Sequence, residues 1–134
     1  MQKQFCLIGK NDSTRENLSI DLKSLGFEEV GSFEDVSEIE IRDQAAEFLA
    51  IIDHPDSGRQ KNAVKNCKSI FPSSTVIVLS KNLDLNNMLE CFKLGAVEYI
   101  VRSQVKSRYI GALCTAALDK KGAASNAAVE RPAA

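Results

Sequence analysis

The run Thr75-Val76-Ile77-Val78-Leu79 is apolar and largely β-branched, with no polar break before Ser80. Alternate side chains of a strand point to opposite sides of a sheet, so such a run belongs in a strand covered on both faces. Shorter runs of the same kind recur. They are Phe5-Cys6-Leu7-Ile8 ended by Gly9, a weaker Glu29-Val30-Gly31-Ser32-Phe33, Phe48-Leu49-Ala50-Ile51-Ile52 ended by Asp53, and Glu98-Tyr99-Ile100-Val101. Strands of this kind call for helices on both sides of a parallel sheet.

Helical patterns fill the intervals. Ser13 to Leu25 places Leu18, Leu22 and Leu25 on one stripe, with Asn11, Asp12 or Ser13 to cap its start and Gly26 to stop it. Asp35 to Asp43 predicts a short acidic helix with Val36 and Ile39 on one side. Gly58 to Ile70 carries Val64, Cys67 and Ile70 on one stripe and closes at Phe71-Pro72. Asp84 to Leu94 gathers Leu85, Met88, Leu89 and Phe92, a face that reads as core, with Gly95 as its stop. Ser103 to Leu118 turns Val105, Tyr109, Leu113 and Ala116 or Ala117 inward. This alternation predicts an α/β, doubly wound, five-stranded parallel sheet with right-handed crossovers.

At 134 residues the chain has room for one domain. Its 44% hydrophobic and 26% charged residues are those of a globular chain, and a formal charge of -1 excludes a generally basic nucleic-acid binder. Cys6, Cys67, Cys91 and Cys114 sit among apolar neighbours without a Cys-x-x-Cys pair. They read as buried reduced thiols, in keeping with a cytoplasmic location. No stretch is long enough for a signal peptide or a membrane span, and no contact with a membrane is expected. Residues 1–121 form the expected domain; the Ala-rich stretch 122–134 reads as a linker or tail.

Function in an open parallel sheet collects at the carboxyl ends of the strands. Asp53 ends the third run there. A carboxylate at that edge must be solvated, paired or used, and the competing reading is a turn cap within Asp53-His54-Pro55-Asp56-Ser57-Gly58. Ser80 ends the fourth run and Arg102 ends the fifth, so a hydroxyl and a fixed cation would flank the carboxylate. His54 stands alone and reads as a loop residue at the rim, with a tuning effect on Asp53 as the sharper alternative.

Over residues 3 to 119 these features resemble the receiver domain of bacterial response regulators. The resemblance rests on Leu25-Gly26-Phe27, Ile51-Ile52-Asp53, Val76-Ile77-Val78-Leu79-Ser80 and Gly95-Ala96-Val97-Glu98-Tyr99-Ile100-Val101-Arg102-Ser103. It implies a flavodoxin-like (βα)5 fold with strand order 2-1-3-4-5 and Asp53 at the phospho-acceptor position. Ser80 is then the switch hydroxyl, Tyr99 the aromatic that follows it, and Arg102 stands in place of the usual lysine. The pattern around Val78-Leu79-Ser80, with Asp84 to Gly95 following, is similar to receivers of the LuxR or NarL type, joined to helix-turn-helix output domains.

The departures are specific. Where receivers carry two adjacent acids that bind Mg²⁺, this chain reads Gly9-Lys10, and Ser103 replaces the usual proline. A lysine repels a divalent cation, so no cofactor is expected and Mg²⁺ is doubtful. Lys10 either pairs with Asp53 or points to water; Asp12 and Asp56 are weak substitute metal ligands. The reading is a non-enzymatic, atypical receiver acting through protein–protein contact with a histidine kinase or other signalling protein. Homodimerisation would use the helix 84–94, the fifth strand and the helix 103–118. DNA binding would require an output domain outside this chain. The alternative is conventional Mg²⁺-dependent phosphorylation of Asp53. A flavodoxin-like ligand binder is the remote alternative, disfavoured by 6% aromatic content and no tryptophan.

Overall fold

The computed structural model describes residues 3–9, 12–41, 47–102 and 109–118. Strand β1 (Lys3–Gly9) leads to α1 (Asp12–Ser24), β2 (Phe27–Phe33), a single 3-10 turn (Val36–Glu38) and β3 (Leu49–Asp53). Then come α2 (Ser57–Ile70), β4 (Thr75–Ser80), α3 (Leu85–Leu94), β5 (Glu98–Val101) and a last helix, α4, over 109–118. The sheet order is β2-β1-β3-β4-β5 and every neighbouring pair is parallel, as the sequence predicts. At one edge, β2 slips against β1. Phe5 faces Glu29 but Cys6 faces Gly31, so Val30 is an extra residue in the outer strand.

The two sides of the sheet follow strand parity. Phe5, Leu7, Leu49, Ile51, Ile77, Leu79 and Ile100 pack with Leu18 and Leu22 of α1 and with Ile110 and Cys114 of α4. Cys6, Ile8, Ala50, Ile52, Val76, Val78, Tyr99 and Val101 pack with Val64 and Cys67 of α2 and Cys91 of α3. Fully buried residues such as Ile51, Ile52 and Ile77 each contribute about 1.5–3 kcal/mol of burial. Gly95, at φ 117, closes α3 in the left-handed conformation and receives the aliphatic stem of Lys68 where a side chain would stand. The ammonium of Lys68 in turn donates to the carbonyls of Pro72 and Ser74, closing the α2–β4 loop.

Four helical expectations need correction. The acidic helix expected over Asp35 to Asp43 is only the 3-10 turn; Ile39 is already extended at ψ 126, and residues 42–46 lie outside the described residues. The chain there buries Ile39, exposes Glu40 and packs Ile41, which is the period of extended chain rather than of helix. In α3 the expected core face is largely outside: Leu85 is 60% exposed, Leu89 54% and Phe92 38%, while Asn87 and Cys91 are buried. Hydrogen bonds to Asn87, described below, set that rotation against the hydrophobic pattern. In α4, Ile110, Cys114 and Ala117 turn inward and Tyr109 and Leu113 outward, because two helical stripes one residue apart compete and the sheet takes the smaller side chains. Val105 lies outside the described residues, and Leu25, in the turn just past the end of α1, is exposed instead of joining the core.

The rotation of α3 has a direct test. Leu89→Glu should change stability in urea by less than about 0.5 kcal/mol, as at an ordinary surface position, whereas Cys91→Glu should abolish cooperative folding. Loss of folding in the Leu89 variant would restore the sequence-based face. Burial also pushes the thiols of Cys6 and Cys114 up to about 12 from an ordinary 9.0. Between those values the unfolded chain has lost protons that the folded chain keeps, so stability should fall as pH rises above 9. The expected slope in alkaline denaturation curves is about 1.4 kcal/mol per pH unit for each thiol, relative to Cys→Val variants.

Candidate functional site

Parity decides which side chains meet at the carboxyl edge. Asp53 continues the row of Leu49 and Ile51, and Arg102, just after β5, continues the row of Ile100. Ser80 and Tyr99 belong to the opposite row with Val76, Val78 and Val101. Asp53 is thus the last residue of β3 itself, held opposite Gly9 of β1.

Arg102 reaches back across β4 and its Nη2 hydrogen-bonds Oδ2 of Asp53 as an ion pair. The span is two strand spacings of about 4.8 Å each, within reach of an extended arginine. Its backbone N–H donates to the Ser80 carbonyl at 2.8 Å, which anchors the start of that reach. The side chains are only 17% and 11% exposed, so the pair is poorly screened by solvent. Breaking a buried pair of this kind is strongly destabilising, because the charges have been drawn out of water. Asp53 and Arg102 therefore meet at this edge.

The hydroxyl of Ser80 takes a different direction. Its Oγ donates to the carbonyl of Asn82 at 2.8 Å, within its own loop. A serine has one proton to donate, so this bond commits it. Tyr99 is buried, and its phenol oxygen accepts from Nδ2 of Asn87 at 3.1 Å. The other proton of that amide goes to Oε1 of Gln60 at 2.6 Å, and Nε2 of Gln60 donates to the carbonyl of His54 at 2.7 Å. A buried polar chain therefore links the residue after Asp53 to the aromatic of β5. Sequence reading missed Gln60 and Asn87, since a polar residue on an amphipathic helix is assigned to the solvent side by default.

The acidic-pair positions differ in what can be described. Gly9 has φ 145, and a Cβ on it would lie 2.1 Å from the Asp53 carbonyl oxygen. Lys10, and with it the expected pairing to Asp53, lies outside the described residues, as do Ser103 and the stretch 104–108. Asp12 is the first residue of α1. Asp56 caps α2, accepting from the Gly58 N–H at 3.2 Å. His54 is buried rather than at an exposed rim, and lines a cleft of about 460 Å³ with Glu34, Asp35, Glu38, Arg59 and Asn62. That cleft lies where the expected second helix gives way to the 3-10 turn.

Restoring an acid at position 9 should fail for a backbone reason. Gly9→Asp is expected to cost about 2–4 kcal/mol in chemical denaturation, through the positive φ and the overlap with β3. An unchanged unfolding midpoint would show that the two strands can separate at that point without penalty.

No protein-family profile and no curated protein sequence matches the chain. Solved structures do. A response regulator from Thermotoga maritima superposes at TM-score 0.72 with 19% identity, over 89% of this chain and 99% of that one. An orphan response regulator of H. pylori gives 0.70 with 22% identity, over 87% and 96%. The isolated REC domain of RcsB from Salmonella enterica serovar Typhimurium, solved in the presence of phosphomimetic BeF3-, gives 0.69 with 18% identity, over 90% of each chain. The architecture that places Asp53, Ser80, Tyr99 and Arg102 at one edge of the sheet is the fold of the response-regulator receiver domain.

Proposed function

We propose that this chain is an atypical receiver, a signal-transduction domain that works through protein–protein contact without Mg²⁺-driven phosphorylation of Asp53. The observation that carries the reading is the ion pair between Arg102 and Asp53. Aspartyl phosphorylation needs a carboxylate oxygen as nucleophile and a divalent cation to neutralise the phosphoryl oxygens. Here an arginine holds a carboxylate oxygen, and position 9 has no carboxylate to offset the repulsion between that cation and a metal.

The remaining donors support the same reading. Among the described residues, no three His, Cys, Asp or Glu side chains come together as metal ligands. Asp56 is engaged in capping α2, and position 9 offers no side chain. Mg²⁺ requires near-octahedral oxygen ligation, commonly with one or two carboxylates, and this set does not fit it. The histidine kinase or other signalling protein would then act as a binding partner rather than a phosphoryl donor.

Its contact surface in this reading is the edge formed by β5 with α3 and α4. Leu83, Leu85, Leu89 and Phe92 are exposed on one flank, and Tyr109 and Leu113 on the other. A second copy of the chain is the alternative occupant of this edge, and DNA would be reached only through a separate output domain. A cytoplasmic location accords with four buried cysteines that form no disulfide. Among the described residues no helix is long and apolar enough to cross a membrane.

The test is an amide-shift titration with Mg²⁺ followed by beryllofluoride, a mimic of aspartyl phosphate, read at Asp53, Ser80 and Tyr99. No saturable response at millimolar metal is expected. A saturable response that reaches Tyr99 would overturn the reading and make Asp53 a conventional phosphorylation site.

A further inference from the structure

We infer that Asn87 is the positioning residue for Tyr99, holding the ring inward through a polar bridge to Gln60 and the His54 carbonyl that bypasses the Ser80 hydroxyl. The inference deepens the functional reading above and rests on it only for the identification of Tyr99 as the aromatic of the switch.

Asn87 is 4% exposed and Gln60 2%, yet each lies beside the apolar cluster that includes Val64, Cys67 and Cys91. Burying two amides there is unfavourable unless their groups are paired. The geometry pairs them in one direction. Gln60 spends Nε2 on His54 and offers Oε1 to Asn87, which then has one amide proton left for Tyr99. Because Oε1 fixes the plane of the Asn87 amide, the proton aimed at the phenol is fixed too. At the far end the backbone of Asn87 is tied to the Asp84 cap at 3.1 Å. The residue is therefore held by its amide from α2 and β5 and by its backbone from the start of its own helix.

The consequences are mechanical. Any shift of the His54 carbonyl, one residue from Asp53, moves Gln60, then the amide of Asn87, then the phenol. The same amide pins the rotation of α3 that leaves Leu85, Leu89 and Phe92 outside. Ser80 has its proton committed to Asn82 and supplies no donor to this chain of bonds.

The sequence makes the test simple, since the protein has no tryptophan and two tyrosines. In a Tyr109→Phe background, Tyr99 is the only emitter, and acrylamide quenching reports its exposure. Asn87→Leu keeps the size and branching of the side chain and removes both the donor and the acceptor of the amide. A role limited to packing would survive it. The expected result is a severalfold rise in the quenching constant with the far-ultraviolet dichroism of a folded domain, while Ser80→Ala stays at the parent value. Parent-like quenching in Asn87→Leu would overturn the inference, and so would an equal rise in Ser80→Ala. If Asn87→Leu does not fold, Gln60→Met carries the test, with a rise in quenching expected and no change overturning it. A positive metal and beryllofluoride titration would sink the functional reading while leaving these quenching results intact, so the two failures are distinguishable.

Discussion

Burial on both faces of β3 and β4 is the constraint on which the rest depends. Every residue of these two strands is buried, so neither strand can rotate or slip by one position without sending its apolar set to the wrong side. That lock extends past the last apolar residue to the polar ones. Asp53 and Arg102 fall in the row facing α1 and α4, and Ser80 and Tyr99 in the row facing α2 and α3. The site is therefore split by the pleat into an ionic half and a hydrogen-bonded half.

Each half is desolvated and depends on being complete. The pairing of Arg102 with Asp53 offsets the cost of drawing two charges toward the interior, a balance that specifies geometry more than it adds stability. The amides of Gln60 and Asn87 follow the same logic with neutral groups, since a buried donor or acceptor without its partner costs more than the bond contributes. Those requirements explain why α3 presents leucines to solvent. An asparagine that must reach both Gln60 and Tyr99 fixes the helix phase, and the remaining side chains take the directions left over.

Much of this was legible in the sequence, and the limits have physical causes. Strand runs such as Thr75 to Leu79 and Leu49 to Ile52 were readable because full burial leaves no polar residue in the pattern, and the sheet order followed from the resemblance those runs supported. Asp53, Ser80 and Arg102 were placed by their position at strand ends. The helices were harder, because an amphipathic segment can bury either of two neighbouring stripes; α3 buries the less apolar one and α4 the one with the smaller side chains. The direction of the Ser80 hydroxyl and the Gln60–Asn87 bridge were not legible, since each depends on residues brought together from separate elements.

The slip at the β1–β2 edge has a bearing on how such a domain can assemble. Strands that add to a sheet from another chain need a flat, regular ladder of unpaired backbone groups. The outer strand β2 carries the extra residue Val30, which shifts its register against β1, and it bears Glu28 and Glu29, so its rim is irregular and charged. The opposite rim, β5, is four residues long. Neither border templates a continuous sheet shared between molecules. Higher-order structure built from this domain is therefore directed toward side-chain surfaces of its helices, which can be made and unmade without exchanging backbone hydrogen bonds.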